Sequence, residues 1–168
     1  MSDQENIELI EFKKDLLNKV HVSADAGGNF SSNQFYTYIT ELLTDAEIYD
    51  DIQEGKYIHS KKGIKIDGWN WNVTERYLSG VIIDFSDDEE LTTISRSEIE
   101  KLGKRASKFI ANINNSKFRE SLDASDPALE TCKEMSQYLS DRGIDGEDGF
   151  RPAAHKFRII IITDHLMS

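Results

Sequence analysis

The order of hydrophobic patterns along this chain predicts an α/β fold: two helices, an antiparallel three-strand meander, a helical crossover and a final parallel strand. Three observations predict it. From Asn6 to Ala46 apolar residues recur at helical spacing. From Lys56 to Ser86 the pattern changes to short β-branched and aromatic runs broken by turn residues. After a second helical region comes Phe157 to Thr163, which contains four consecutive isoleucines.

Taken in order, Leu9, Phe12, Leu16 and Val20 form one face of a helix from Asn6 to about Val22, with Glu and Lys on the other face. The run Asp25 to Asn29, with Gly27 and Gly28, predicts a break. Ser31 or Ser32 is placed to cap a second helix that carries Phe35, Tyr38, Ile39, Leu42, Leu43 and Ala46. Lys56 to Ser60 reads as an edge strand turning at Lys61-Lys62-Gly63 into a strand from Ile64. Val73 to Arg76 is a turn, and Tyr77 to Ser86 is the third strand, with the β-branched run Val81-Ile82-Ile83 expected to be buried on both faces.

Asp87-Asp88-Glu89-Glu90 ends the meander as a solvated acidic corner. Ser95 or Ser97 then opens a helix with Ile99, Leu102, Ala106, Phe109, Ile110 and Ile113 inside and Lys101, Lys104, Arg105 and Lys108 on another face. Asp126-Pro127 starts a further helix through Leu129, Cys132, Met135 and Leu139. The loop Asp145 to Gly149 lacks the alternating ligands and distal glutamate of a calcium loop. Phe157 to Thr163 is expected to be a central strand.

With 168 residues, two prolines and no Gly/Ser tract, residues 1–168 are expected to form a single domain. A chain that closes on a buried strand is expected to be the N-terminal part of a larger protein. The formal charge of −11 repels phosphate backbones at long range, so any contact with DNA or RNA must be local. No apolar run has membrane-spanning length and the N-terminus lacks a signal-peptide core, so a cytoplasmic location without membrane is expected. Cys132 is the sole cysteine, which excludes an internal disulfide and a multi-cysteine zinc site.

Two aspartates stand out on the meander. Asp67 lies in the IDG of the second strand, and Asp84 follows the apolar run of the third. A carboxylate at the end of a buried strand is costly without a partner or a cation. Hydrolysis of a phosphodiester needs charge neutralisation and an activated water, which Mg2+ or Mn2+ held by carboxylates can supply. Asp67 and Asp84, with Glu41 on the preceding helix, form a candidate ligand set. The alternative is that the aspartates cap strand ends or pair with Lys65 or Arg76. Trp69 and Trp71, two apart on a strand, either stack nucleic-acid bases or pack under a helix or at a partner interface. His21, His59, His155 and His165 are scattered without a zinc spacing and read as surface or capping residues.

These residues resemble the restriction-endonuclease-like fold, whose site places an aspartate on one strand and Asp/Glu-x-Lys on the next. The resemblance implies catalytic roles for Asp67, Asp84 and the position of Ser86. Ser86 departs from the family lysine and cannot supply its positive charge, leaving Lys65, Lys101 or Lys104 as substitutes. A closer resemblance covers almost the whole chain. The segments IELIEFKKDLLNKVHVSADAGGNFSSNQFYTYITELLTDAEI, IDGW, VIIDFSDDEELT and FRIIIITDHLMS are similar to the N-terminal domain of abortive-infection phage-resistance (AIPR) proteins. That resemblance implies a bacterial phage-defence protein in which a larger AIPR domain follows. Two functions stay open: a divalent-metal-dependent nuclease acting on DNA or RNA, and a catalytically degenerate domain kept for homo-oligomerisation or for sensing a phage component.

Overall fold

In the computed structural model, which describes residues 3–28, 30–139, 144–146, 149–151, 154 and 156–168, helix α1 spans Asp3–Gly27 and α2 spans Ser31–Asp45. The first helix runs past the expected end because Ser23 to Ala26 contain no breaker; it stops where Gly28 takes a left-handed φ of 64°. Neither Ser31 nor Ser32 caps α2. Phe30 holds the N-cap position without a side-chain hydrogen bond, and both serines lie inside the helix.

Strand β1, Gln53–His59, starts three residues before the expected edge strand, and β2 and β3 span Ile64–Asn72 and Tyr77–Asp84. A one-turn 3-10 segment, Ser60–Lys62, joins the first two, and Gly63 leaves it with φ 60°. Two-residue strand β4, Thr93–Ile94, precedes helix α3, Arg96–Asn112. Ser95 is the N-cap of α3 in a reciprocal capping box with Glu98. The short helix α4, Ser116–Glu120, was not expected. Helix α5, Pro127–Tyr138, begins at its expected cap, Asp126. Strands β5, Ile144–Gly146, and β6, Gly149–Arg151, pair antiparallel where a loop was expected, and Glu147 and Asp148 of that loop lie outside the described residues. Strands β7, Lys156–Thr163, and β8, Leu166–Met167, close the chain.

The main sheet has the order β1-β2-β3-β7, with β1, β2 and β3 antiparallel and β7 parallel to β3. The meander, the helical crossover and the parallel return are therefore as the patterns predicted. The expectation that the last strand is central is corrected: β7 is an edge of the four-stranded sheet, with Phe157 58% exposed and only Ile160 fully inside. Its second partner layer is small, because β8 turns away to pair in parallel with β4.

Helices cover both faces of the sheet. Leu16, Val20, Phe35 and Tyr36 from α1 and α2 pack on Val81, Ile83 and Ile160. Phe109, Ile110, Cys132 and Met135 from α3 and α5 pack on Ile64, Ile66 and Leu78, while Ile82 meets Leu102 and Ala106. This two-sided burial explains why β3 reads as an unbroken apolar run. Each fully buried side chain of this size contributes about 2 kcal/mol of transfer free energy. Among the described residues no helix is long and apolar enough to cross a membrane.

Candidate functional site

The ladder between β2 and β3 runs from Asn72↔Tyr77 to Gly68↔Val81. Beyond it, side chains of β2 complete the hydrogen bonding of β3. The Ile83 N–H donates to Asp67 Oδ2 at 2.8 Å, and Lys65 Nζ donates to the Ile83 carbonyl at 2.6 Å. Lys65 and Asp67 also pair with each other at 3.2 Å. Asp67 is 4% exposed. This carboxylate therefore satisfies a buried backbone donor and a half-buried cation together, in the charge-paired arrangement that makes its own burial tolerable. Beside it, a side chain at Gly68 would collide with the Tyr36 hydroxyl and the Gln53 carbonyl, so glycine is needed for this close approach. Tyr36 Oη donates to that carbonyl at 2.9 Å. Burial first, then the charges of Glu54 and Asp67, push the Tyr36 phenol well above its usual range, so it stays a donor.

Because β3 and β7 are parallel and Asp84 pairs with Thr163, the residues that follow each strand meet. Ser86 donates from its backbone N–H and its hydroxyl to the two carboxylate oxygens of Asp164, at 2.9 and 2.7 Å. Asp164 Oδ2 also lies 3.5 Å from Lys13 Nζ of α1, and both side chains are almost fully buried. Lys13 further donates to the Glu90 carbonyl at 2.7 Å. A buried ion pair thus ties α1 to the end of β7, and Ser86, at the position the resemblance gives to a lysine, completes it. The hydroxyl brings hydrogen bonding there and no charge.

Asp84 faces the other way. It lines a cleft of about 260 Å3 with Ile94, Glu98, Lys101, Arg105 and His165. His165 Nε2 stands 3.5 Å from Asp84 Oδ2 and 3.8 Å from Asp164 Oδ1, and Nδ1 of the same ring meets the Thr92 hydroxyl. Arg105 Nε is buried without a hydrogen-bond partner among the described residues. Glu98 is engaged at the α3 capping box, and the Ser95 hydroxyl is the main cause that holds its carboxyl below the usual range. Lys101 thus joins Asp84 in one cleft, whereas Lys104 is not among the residues lining it. The cleft lies at the carboxyl ends of parallel β3 and β7, where open α/β sheets bind ligands.

Of the residues singled out from sequence, the structure brings Lys65 and Asp67 together and sets Asp84 in the cleft. Glu41 is on an exposed stretch of α2, lining a separate hollow with Thr44, Asp45 and Asp51. Among the described residues no three His, Cys, Asp or Glu side chains gather as a metal-ligand group. Residues that the patterns did not flag are Lys13, Asp164 and the cleft role of His165. Their signal was topological: once the last strand is parallel to the third, Thr163-Asp164-His165 must lie beside Asp84-Phe85-Ser86.

No curated protein and no solved structure matches the chain. A family model described as the abortive infection phage resistance protein N-terminal domain matches residues 35–168, and with most of the chain inside that match, the chain belongs to this family.

Proposed function

We propose that this domain is a restriction-endonuclease-like module of a bacterial phage-defence protein, one that keeps the fold for recognition or assembly and lacks an assembled metal-nuclease centre. The observation that carries this reading is the commitment of Asp67. Its carboxylate already satisfies the Ile83 N–H and Lys65 ammonium, so coordination of Mg2+ or Mn2+ would strip partners from a buried backbone donor. Two supporting facts point the same way: Ser86 is bound to Asp164, and Glu41 lines a separate hollow. The proposed set Asp67, Asp84 and Glu41 does not fit a metal ion in this arrangement, and no catalytic step is built on one. The element order, with helices, meander, crossover and parallel strand, supports the fold assignment. A following AIPR domain in the same protein would receive the signal of whatever this module binds.

A second reading rests on the Asp84 cleft. Lys101 and Arg105 could neutralise a phosphate there while Asp84 holds a divalent cation, making a nuclease that uses helix cations in place of the strand lysine. Calorimetric titration of Mn2+ into wild type and Asp84→Ala, beside cleavage assays on single- and double-stranded DNA and RNA, separates the two. The recognition reading expects no Mn2+ binding that depends on Asp84 and no cleavage. Cleavage lost in Asp84→Ala would establish the nuclease.

A further inference from the structure

We propose that the cleft between β2, α5 and the loop before β1 binds an arginine side chain of a partner peptide, a reading that stands whether or not the module cleaves nucleic acid. Three aromatic rings form its wall. Trp71 stacks on Tyr138 with centroids 4.6 Å apart and planes at 29°, and Trp69 lies 5.7 Å from Tyr138 at 48°. Asp50, Asp51 and Glu134 add three acidic residues to the lining of the same cleft of about 410 Å3, and among the described residues no lysine or arginine lines it. Among the described residues, none of the three is engaged in an ion pair.

The acidic side is held in place. Asn70, 3% exposed, donates its amide to the Asp50 carbonyl, and at 3.5 Å to that of Asp51, which sits at a left-handed φ of 48°. The two backbone carbonyls are thus fastened to Asn70, which fixes this stretch of the chain at the edge of the cleft. Trp69 provides an independent sign of a ligand. It is 6% exposed, it lines the cleft, and its indole N–H is buried without an acceptor. An unpaired buried donor is rare and is relieved when a ligand brings an oxygen.

Charge decides the chemistry of the occupant. The negative faces of aromatic rings and three carboxylates attract a cation and repel a phosphate backbone, which removes base stacking as the use of Trp69 and Trp71. A planar guanidinium stacks on rings and presents paired donors to carboxylates, which an ammonium does not. A peptide bond next to that arginine brings the carbonyl oxygen that the Trp69 N–H lacks.

The test titrates the 168-residue chain with acetyl-Gly-Arg-Gly-amide and with its neutral citrulline isostere, following the two indole N–H resonances and tryptophan fluorescence. The arginine peptide is expected to move both indole signals and to bind about tenfold more tightly than the citrulline peptide, the scale of one desolvated cation–π contact. Glu134→Gln and Trp71→Ala should each weaken binding about fivefold or more; if Trp71→Ala does not fold, Glu134→Gln carries the comparison. Equal binding of citrulline, no response to arginine at millimolar concentration, or oligothymidine moving the same indole signals would overturn the proposal.

Discussion

Asp67 and Asp164 on one side, and Asp84 on the other, are three aspartates on or just beyond the apolar strands of the sheet, yet they do different physical work. Asp67 answers a backbone N–H and a lysine inside the sheet, and Asp164 answers Ser86 and a buried lysine of α1. Among the described residues, the Asp84 carboxylate has His165 as its one ion-pair partner, at 3.5 Å, and it stays about one third exposed over a cleft. A carboxylate with full partners is framework; one left at the rim with cations across from it is available to a ligand. That difference predicts a graded response to substitution.

The largest effect is expected at Asp164. Alanine there would leave Lys13, 3% exposed, as a buried uncompensated cation and remove both acceptors of Ser86. Loss of one partner of such a pair costs about 4 kcal/mol, which urea unfolding would read as a lower midpoint at unchanged slope. A cost below about 1 kcal/mol would mean that the pair behaves like a solvated one.

Next comes Asp67→Ala, expected to cost about 3 kcal/mol because the Ile83 N–H loses its acceptor and Lys65, left with the Ile83 carbonyl, loses its counter-charge. The double variant with Lys65→Met should recover part of that loss, since it removes the stranded charge, and a thermodynamic cycle would measure the coupling. Additive costs would separate Asp67 from Lys65 and break the framework assignment. This outcome also bears on the nuclease question, because a destabilised Asp67 variant cannot by itself report on metal binding.

The elements of this fold were legible in sequence to the extent that their signals are local. The meander, the two-sided burial of Val81 to Ile83 and the Ser95 and Asp126 caps are all written in short windows. The β4–β8 pair was not, because two-residue strands carry no periodicity and exist only through the turn after β7. The edge position of β7 was hidden by its isoleucines, whose composition suits a central strand although solvent reaches several of them. At the site, residue type alone marked Asp67 and Asp84 as equals. What separates them is the end of the β2–β3 ladder at Gly68, a backbone event that neither aspartate announces. The Lys13–Asp164 contact joins residues from opposite ends of the chain and had no local trace.

A smaller effect is expected at the rim of the cleft through the α3 cap. Ser95→Ala removes the hydroxyl that accepts from the Glu98 N–H and bonds its carboxylate, at a cost of about 1 kcal/mol. Glu98 titrates below its ordinary 4.5 because the Ser95 hydroxyl, then the Ser95 backbone N–H, favour the carboxylate. A lowered acid pKa places the stabilisation above pH 4.5 and removes it as the pH falls through the folded value. Stability of wild type should therefore decline more steeply than that of Ser95→Ala below pH 4.5. Parallel pH profiles would detach Glu98 from the cap and return it to the cleft as a free carboxylate.

The smallest effect is expected at Asp84 itself. Among the described residues its one ion-pairing partner within 4 Å is the His165 imidazole, both are partly open to water, and pairs of this kind contribute less than about 0.5 kcal/mol. Asp84→Ala should unfold at nearly the wild-type urea concentration, and the His165 imidazole resonances should shift without loss of dispersion elsewhere. Small cost is the informative result, because it leaves Asp84 free to be judged on ligand binding alone, which Asp67 can never be. A loss above about 1.5 kcal/mol would place Asp84 among the framework carboxylates. The cleft would then be an incidental hollow between α3 and the ends of β3 and β7, and the aromatic cleft at Trp71 would be the remaining candidate surface for the partner of this domain.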